Sequence, residues 1–198
     1  EGLVLSVTFR LKKSASSLPV AYAQVAEFLG VDAGASVSLY ALRDAVLRLR
    51  KSKGMVVNNR DLDSRSVGSF FVNPVVSEKF AYSLPAGVPK WFLDHNAPHF
   101  VDLSESTGIP TKSRSVHTEA SVKLSAAWLI EHSGIPKGFQ LPGNPARVSR
   151  KHSLAITNPG GATADDVISL ARYIRIQVAN TFGVLLDPEP TMLGLSLD

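Results

Sequence analysis

The chain opens on an alternation. Leu3, Leu5, Val7, Phe9 and Leu11 interleave with Val4, Ser6, Thr8 and Arg10, the period of two that marks a half-buried β-strand. A strand at that position needs a neighbour, and the pattern predicts one encoded upstream of Glu1. After the polar turn Ser14 to Ser17, the spacing predicts a helix over 19–29, with Ala21, Val25, Phe28 and Leu29 on one side and Gly30 as its stop. Leu39, Leu42, Val46 and Leu49 predict a second helix, capped by Ser38 and ended at Gly54. Its last turns carry Arg48, Arg50, Lys51 and Lys53, cations placed where they suit the helix dipole.

The chain from Asn58 to Ser66 is polar and turn-like, and leads into the Gly68-Ser69-Phe70-Phe71 segment and a strand expected to follow it, which Asn73-Pro74 stops or kinks. Residues 85–121 show no sustained period and read as a long surface excursion. A helix is predicted from Lys123 to Glu131 around Trp128, then a short buried strand at Leu154-Ala155-Ile156. Asn158-Pro159-Gly160-Gly161 turns into the best-formed helical pattern in the chain. Thr163 and Asp166 make a capping box, Val167, Leu170, Ala171, Ile174, Val178 and Phe182 form the apolar face, and Gly183 closes it. A last strand is predicted at Val184-Leu185-Leu186.

Composition narrows the class without choosing a function. The 198 residues are 44% hydrophobic and 19% charged, an ordinary globular mixture able to bury a core. The net charge of +4 fits a phosphate-bearing small molecule as well as a nucleic acid, but no face interleaves aromatic with basic residues, so nucleic acid is not expected as a partner. The absence of cysteine removes disulfides, thiolate catalysis and Cys-ligated metals and permits a cytoplasmic location. No apolar run approaches the ~20 residues that span a bilayer.

Four places carry candidate chemistry. Ser69 stands between the hinge Gly68 and two aromatics able to lock it, which is how a hydroxyl is held at a pocket wall; a Gly-Ser turn entering an aromatic strand is equally ordinary core architecture. Residues 158–164 look like a phosphate-cradling glycine loop, but Asp165 and Asp166 would repel an anion, so helix capping is the better reading. His95 and His99 have helical metal-ligand spacing, which Asn96 and Pro98 undercut, and no metal is expected. In Asp187-Pro188-Glu189-Pro190 the prolines fix the direction of Glu189, toward a cleft or simply in a rigid turn.

These signals stand in one order. Lys53 in Ser52-Lys53-Gly54-Met55, then 68–74, then Ser125-Ala126-Ala127-Trp128-Leu129-Ile130-Glu131, then 158–166, then Phe182-Gly183-Val184 with Pro188-Glu189 resemble the C-terminal part of the UDP-N-acetylenolpyruvoylglucosamine reductase family. The resemblance covers the chain apart from 89–121. It implies an α+β fold, with a small, mostly antiparallel sheet covered by helices. It implies an FAD-dependent, NADPH-driven reduction of UDP-N-acetylglucosamine enolpyruvate to UDP-N-acetylmuramate in peptidoglycan synthesis, in the cytoplasm. Ser69 is then the proton donor and Glu189 its acidic partner; Lys53, Asn73, Tyr22 and His152 contact the UDP-sugar, and Gly68 lies against the cofactor.

The departures are equally definite. The family's FAD-binding domain and its Tyr-Arg-x-Ser motif are expected upstream of Glu1. Residues 1–50 would then be the tail of the flavin domain, 51–183 the substrate-binding domain, and 184–198 a segment returning toward the flavin domain. Such a portion is expected to be inactive alone. A different class, a non-catalytic nucleotide-sugar or anion-binding module, remains the alternative.

Overall fold

The computed structural model describes residues 4–93 and 121–197. In the N-terminal region, α1 (Ala23–Leu29) ends on Gly30 at φ +67°, and α2 (Leu39–Ser52) starts at Ser38, whose hydroxyl accepts from the Ala41 N–H at 3.1 Å. Backbone hydrogen bonds from Ser17 to Val37 and from Val20 to Ala35 tie the chain before α1 to the chain before α2. The predicted opening strand does not form among the described residues. Residues 4–13 pair with no other described residue and stay exposed, Leu5 at 87% and Phe9 at 75%. An alternating pattern becomes a strand only where a ladder partner satisfies its amides.

The rest of the chain builds two three-stranded sheets, every pairing antiparallel. One runs β1 (Ser66–Ser69), β6 (Ala155–Thr157), β5 (Arg147–Val148); the other runs β2 (Val75–Ser77), β4 (Ser121–Leu124), β3 (Lys90–Leu93). Helices α3 (Glu78–Ser83), α4 (Ala126–His132) and α5 (Ala164–Phe182) accompany them. This is the α+β architecture expected, with two small sheets in place of one.

Three expectations need correction. The helix predicted from Lys123 begins at Ala126, because the Ser125 hydroxyl accepts from the Trp128 N–H at 3.2 Å and caps it there, while 121–124 alternate as a strand. The excursion read from residue 85 contains β3, paired with β4; residues 94–120, with His95 and His99, lie outside the described residues. Residues 184–186 alternate in burial, with Val184 and Leu186 buried and Leu185 exposed, but make no strand among the described residues. They lead to a single bridge between Phe71 and Pro188, and a proline has no N–H with which to lengthen a ladder.

One core joins both sheets to α5. Val122, Leu124, Leu129, Leu170, Val178 and Leu186 are fully buried in it, with Phe70 and Phe71 packed edge to face at 5.1 Å. Thr163 and Asp166 form the predicted capping box of α5. The loop before it turns its amides inward: Asn158 Oδ1 accepts from Gly160 N and Ala162 N. These bonds and the capping box favour the reading of 158–164 as a cap.

Candidate functional site

Ser69 owes its position to a bulge. β1 pairs Ser66 with Thr157 and Ser69 with Ala155, three steps on one strand against two on the other. Gly68 absorbs the misfit at φ +87°, a conformation other residues adopt only with strain, and its N–H is held by the Ser66 hydroxyl at 3.2 Å. Phe70 then returns to the sheet, donating to Leu154 O at 2.7 Å. With Phe70 and Phe71 both buried, the serine has little freedom to move.

Glu189 arrives from the far end of the chain. Val72 N donates to Asp187 O at 3.0 Å and Glu189 N to Phe70 O at 2.8 Å, so 187–189 runs antiparallel to 70–72 with Phe71 opposite Pro188. This register sets Glu189 beside the end of β1, and Ser69 and Glu189 line one open cleft of about 620 Å³. Gly68, Gly54, Met55 and Arg50 share its wall. The sequence reading missed Arg50, whose place in the last turn of α2 looked like dipole compensation alone.

Lys53 and His152 do not line that cleft. Lys53 is the C-cap of α2, and its ammonium donates to Gln24 Oε1 at 2.8 Å. The Leu154 N–H donates to His152 Nδ1 at 3.2 Å, so the neutral imidazole carries its proton on Nε2. Burial holds the His152 pKa below its ordinary value, helped by the Lys53 and Lys137 ammonium groups and opposed by Glu131.

Asn73 and Tyr22 do not line the Ser69–Glu189 cleft. Asn73 Oδ1 accepts from the Ala126 N–H at 3.0 Å and so helps satisfy the first turn of α4. Tyr22 precedes α1 and is 79% exposed, without a side-chain capping bond. Among the described residues no group of three or more His, Cys, Asp or Glu side chains could hold a metal. None of their helices is long and apolar enough to cross a membrane.

Comparison with known proteins decides the family. The model of the UDP-N-acetylenolpyruvoylglucosamine reductase C-terminal domain matches residues 60–193. The chain belongs to this reductase family. Curated reductases of that name are 46% identical in Leifsonia xyli (99% of this chain, 54% of that protein), 42% in Thermobifida fusca (98% and 50%) and 41% in Mycobacterium tuberculosis (98% and 48%). The chain thus spans about half the length of the reductases it matches.

The resemblance implies a flavin, whose binding requires donors for its diphosphate. The glycine-rich turn before α5 directs the Gly160 and Ala162 amides to Asn158, and Gly68 offers open space, with nothing within 4 Å of where a Cβ would stand. A dinucleotide needs a cradle for its diphosphate as well as room for its ring. The described residues do not make up an FAD site.

Proposed function

We propose that this chain is the substrate-binding part of a reductase acting on UDP-N-acetylglucosamine enolpyruvate, yielding UDP-N-acetylmuramate for peptidoglycan. The observation that supports this most is the pairing of 70–72 with 187–189, which stands Glu189 beside Ser69 in an open cleft. Reducing an enol ether adds a hydride to one alkene carbon and a proton to its neighbour. The Ser69 hydroxyl delivers the proton to the carbon that gains enolate character, and Glu189 is the acidic group at its side. Such a donor must be held still, and the bulge at Gly68 with the Phe70–Phe71 pair does that.

Lys53 and His152 bind the anionic end of the sugar nucleotide, the ammonium as a point charge and the imidazole as an Nε2–H donor. Asn73 and Tyr22 are retained as substrate contacts in this reading, although Asn73 already serves α4 with its oxygen. FAD and NADPH are the redox partners of the whole reductase, and only Gly68 is assigned to lie near the cofactor. The division into 1–50, 51–183 and 184–198 belongs to the same proposal. Among the described residues the core takes none before Phe70, which fits setting 1–50 apart, while Val184 and Leu186 belong to it and tie the start of the last segment to the substrate-binding part. The last segment also packs on that core, through Met192, Leu195 and Leu197.

The test is reaction of the full-length protein containing this sequence with the enolpyruvyl UDP-sugar, FAD and NADPH. One NADPH oxidised for each enol ether consumed is the expected result. Binding of the sugar nucleotide without reduction would make the protein a non-catalytic module, and no binding would overturn the substrate assignment.

A further inference from the structure

Asp63 is a buried carboxylate that the reaction does not use. It lies in the 3₁₀ turn Leu62–Ser64 between α2 and β1, and it joins two loops that are far apart in sequence. Toward 149–152, its Oδ1 accepts from the Ser149 hydroxyl at 3.0 Å and from Arg150 N at 2.8 Å. The same Ser149 hydroxyl accepts from Lys151 N at 3.0 Å and from His152 N at 3.3 Å. The carboxylate thus organises, through one fully buried serine, the turn that presents the imidazole. Toward α2, the backbone of Asp63 lies against Gly54. A Cβ there would sit 2.9 Å from Asp63 O and 3.2 Å from Asp63 C, so only glycine lets the residue following Lys53 come so close.

A carboxylate with two hydrogen bonds in a buried position holds its donors more firmly than a neutral acceptor does. The flanking pair from Lys151 Nζ to Asp61 Oδ2 at 2.6 Å fastens the same two segments at the surface. We propose that Asp63 is a positioning residue for sugar-nucleotide recognition: it touches no substrate, but sets the spacing between Lys53 and His152. This rests on the assignment of those two side chains to the anionic end of the substrate. Reaction at Ser69 is carried by the separate pairing with 187–189, so the effect falls on binding and leaves the chemical step alone.

The experiment is steady-state kinetics of the full-length reductase with Asp63→Ala, Asp63→Asn, Lys53→Ala and the Asp63→Ala/Lys53→Ala pair. Asp63→Ala is expected to raise KM for the enolpyruvyl UDP-sugar about tenfold, as loss of a ligand group's alignment does, with kcat within about twofold. Asp63→Asn keeps an oxygen acceptor in place and recovers most of the change. In the Lys53→Ala background, Asp63→Ala adds less than about threefold, because the two act through one contact. If Lys53→Ala raises KM while Asp63→Ala leaves it unchanged, lowers kcat instead, or multiplies fully with Lys53→Ala, the positioning role is wrong. If Lys53→Ala itself leaves KM unchanged, the substrate assignment fails, and this inference with it. Should Asp63→Ala not fold, Ser149→Ala removes the hydroxyl that relays Asp63 to His152; a raised KM with unchanged kcat supports the role, and an unchanged KM overturns it.

Discussion

Residues 4–57 and residues 58–197 use hydrophobic residues in opposite ways. Among the described residues of the second region, most buried apolar positions belong to a single core, in which Leu129, Leu170 and Leu186 have no exposed surface. In the first, Val4, Leu5, Val7, Phe9 and Leu11 are exposed along an unpaired segment, and the buried side chains Val20, Ala26 and Ala45 stand apart from that core. Leu42, Val46, Met55 and neighbours on α2 border an open apolar groove of about 530 Å³. The lesson is that periodicity reports how much surface a segment is built to bury. Whether it forms its element depends on having something to bury that surface against.

Core truncation should break the comparison most visibly. Leu129→Ala, at a site with 0% exposure, is expected to cost about 2–5 kcal/mol in urea unfolding. Phe9→Ala in the same chain should stay within about 0.5 kcal/mol. Equal costs would mean that the first region is packed as tightly as the second.

The junction between the regions gives the next effect. Gly54 has φ +72° and its Cα lies against the Asp63 carbonyl, so Gly54→Ala should destabilise by about 1–3 kcal/mol. Hydrogen exchange should show the loss of protection spreading into 58–64. A neutral substitution would mean the two loops separate without cost.

The smallest effect is on pH. The pKa of His152 is depressed in the folded chain, so the unfolded chain takes up the proton first as pH falls. Stability from this residue is complete above about the ordinary value of 6.5 and is lost as pH drops from there toward the folded value. His152→Gln should flatten that part of the stability profile. Identical profiles for both proteins would show that the imidazole is not held neutral by its surroundings.

Legibility in the sequence followed a different divide, between local signals and distant partners. Local signals with their own chemistry were readable: Ser38 as a cap, Thr163 with Asp166 as a capping box, Gly30 and Gly183 as stops, and the prolines that stiffen 187–190. What escaped depended on distant partners. β5 is two residues long and exists because β6 lies beside it. The helix start at Ala126 required weighing Ser125 as a cap against the apolar run that precedes it. Of the candidate site, the order of motifs brought out Ser69 and Glu189, but the ladder that joins them spans more than half of the chain and leaves no local trace. Asp63 was invisible because its partners lie in 149–150, and a lone aspartate in a polar turn looks like a turn former.

The most direct test of the account is turnover by the full-length reductase carrying Ser69→Ala. Loss of a positioned proton donor predicts a fall in kcat for the enol ether of about 10²–10⁴-fold, with KM for the UDP-sugar nearly unchanged and NADPH still able to reduce the enzyme-bound flavin. Turnover within a few-fold of the natural protein would contradict it, and would make the rigid Gly-Ser-Phe-Phe segment a piece of core architecture and nothing more.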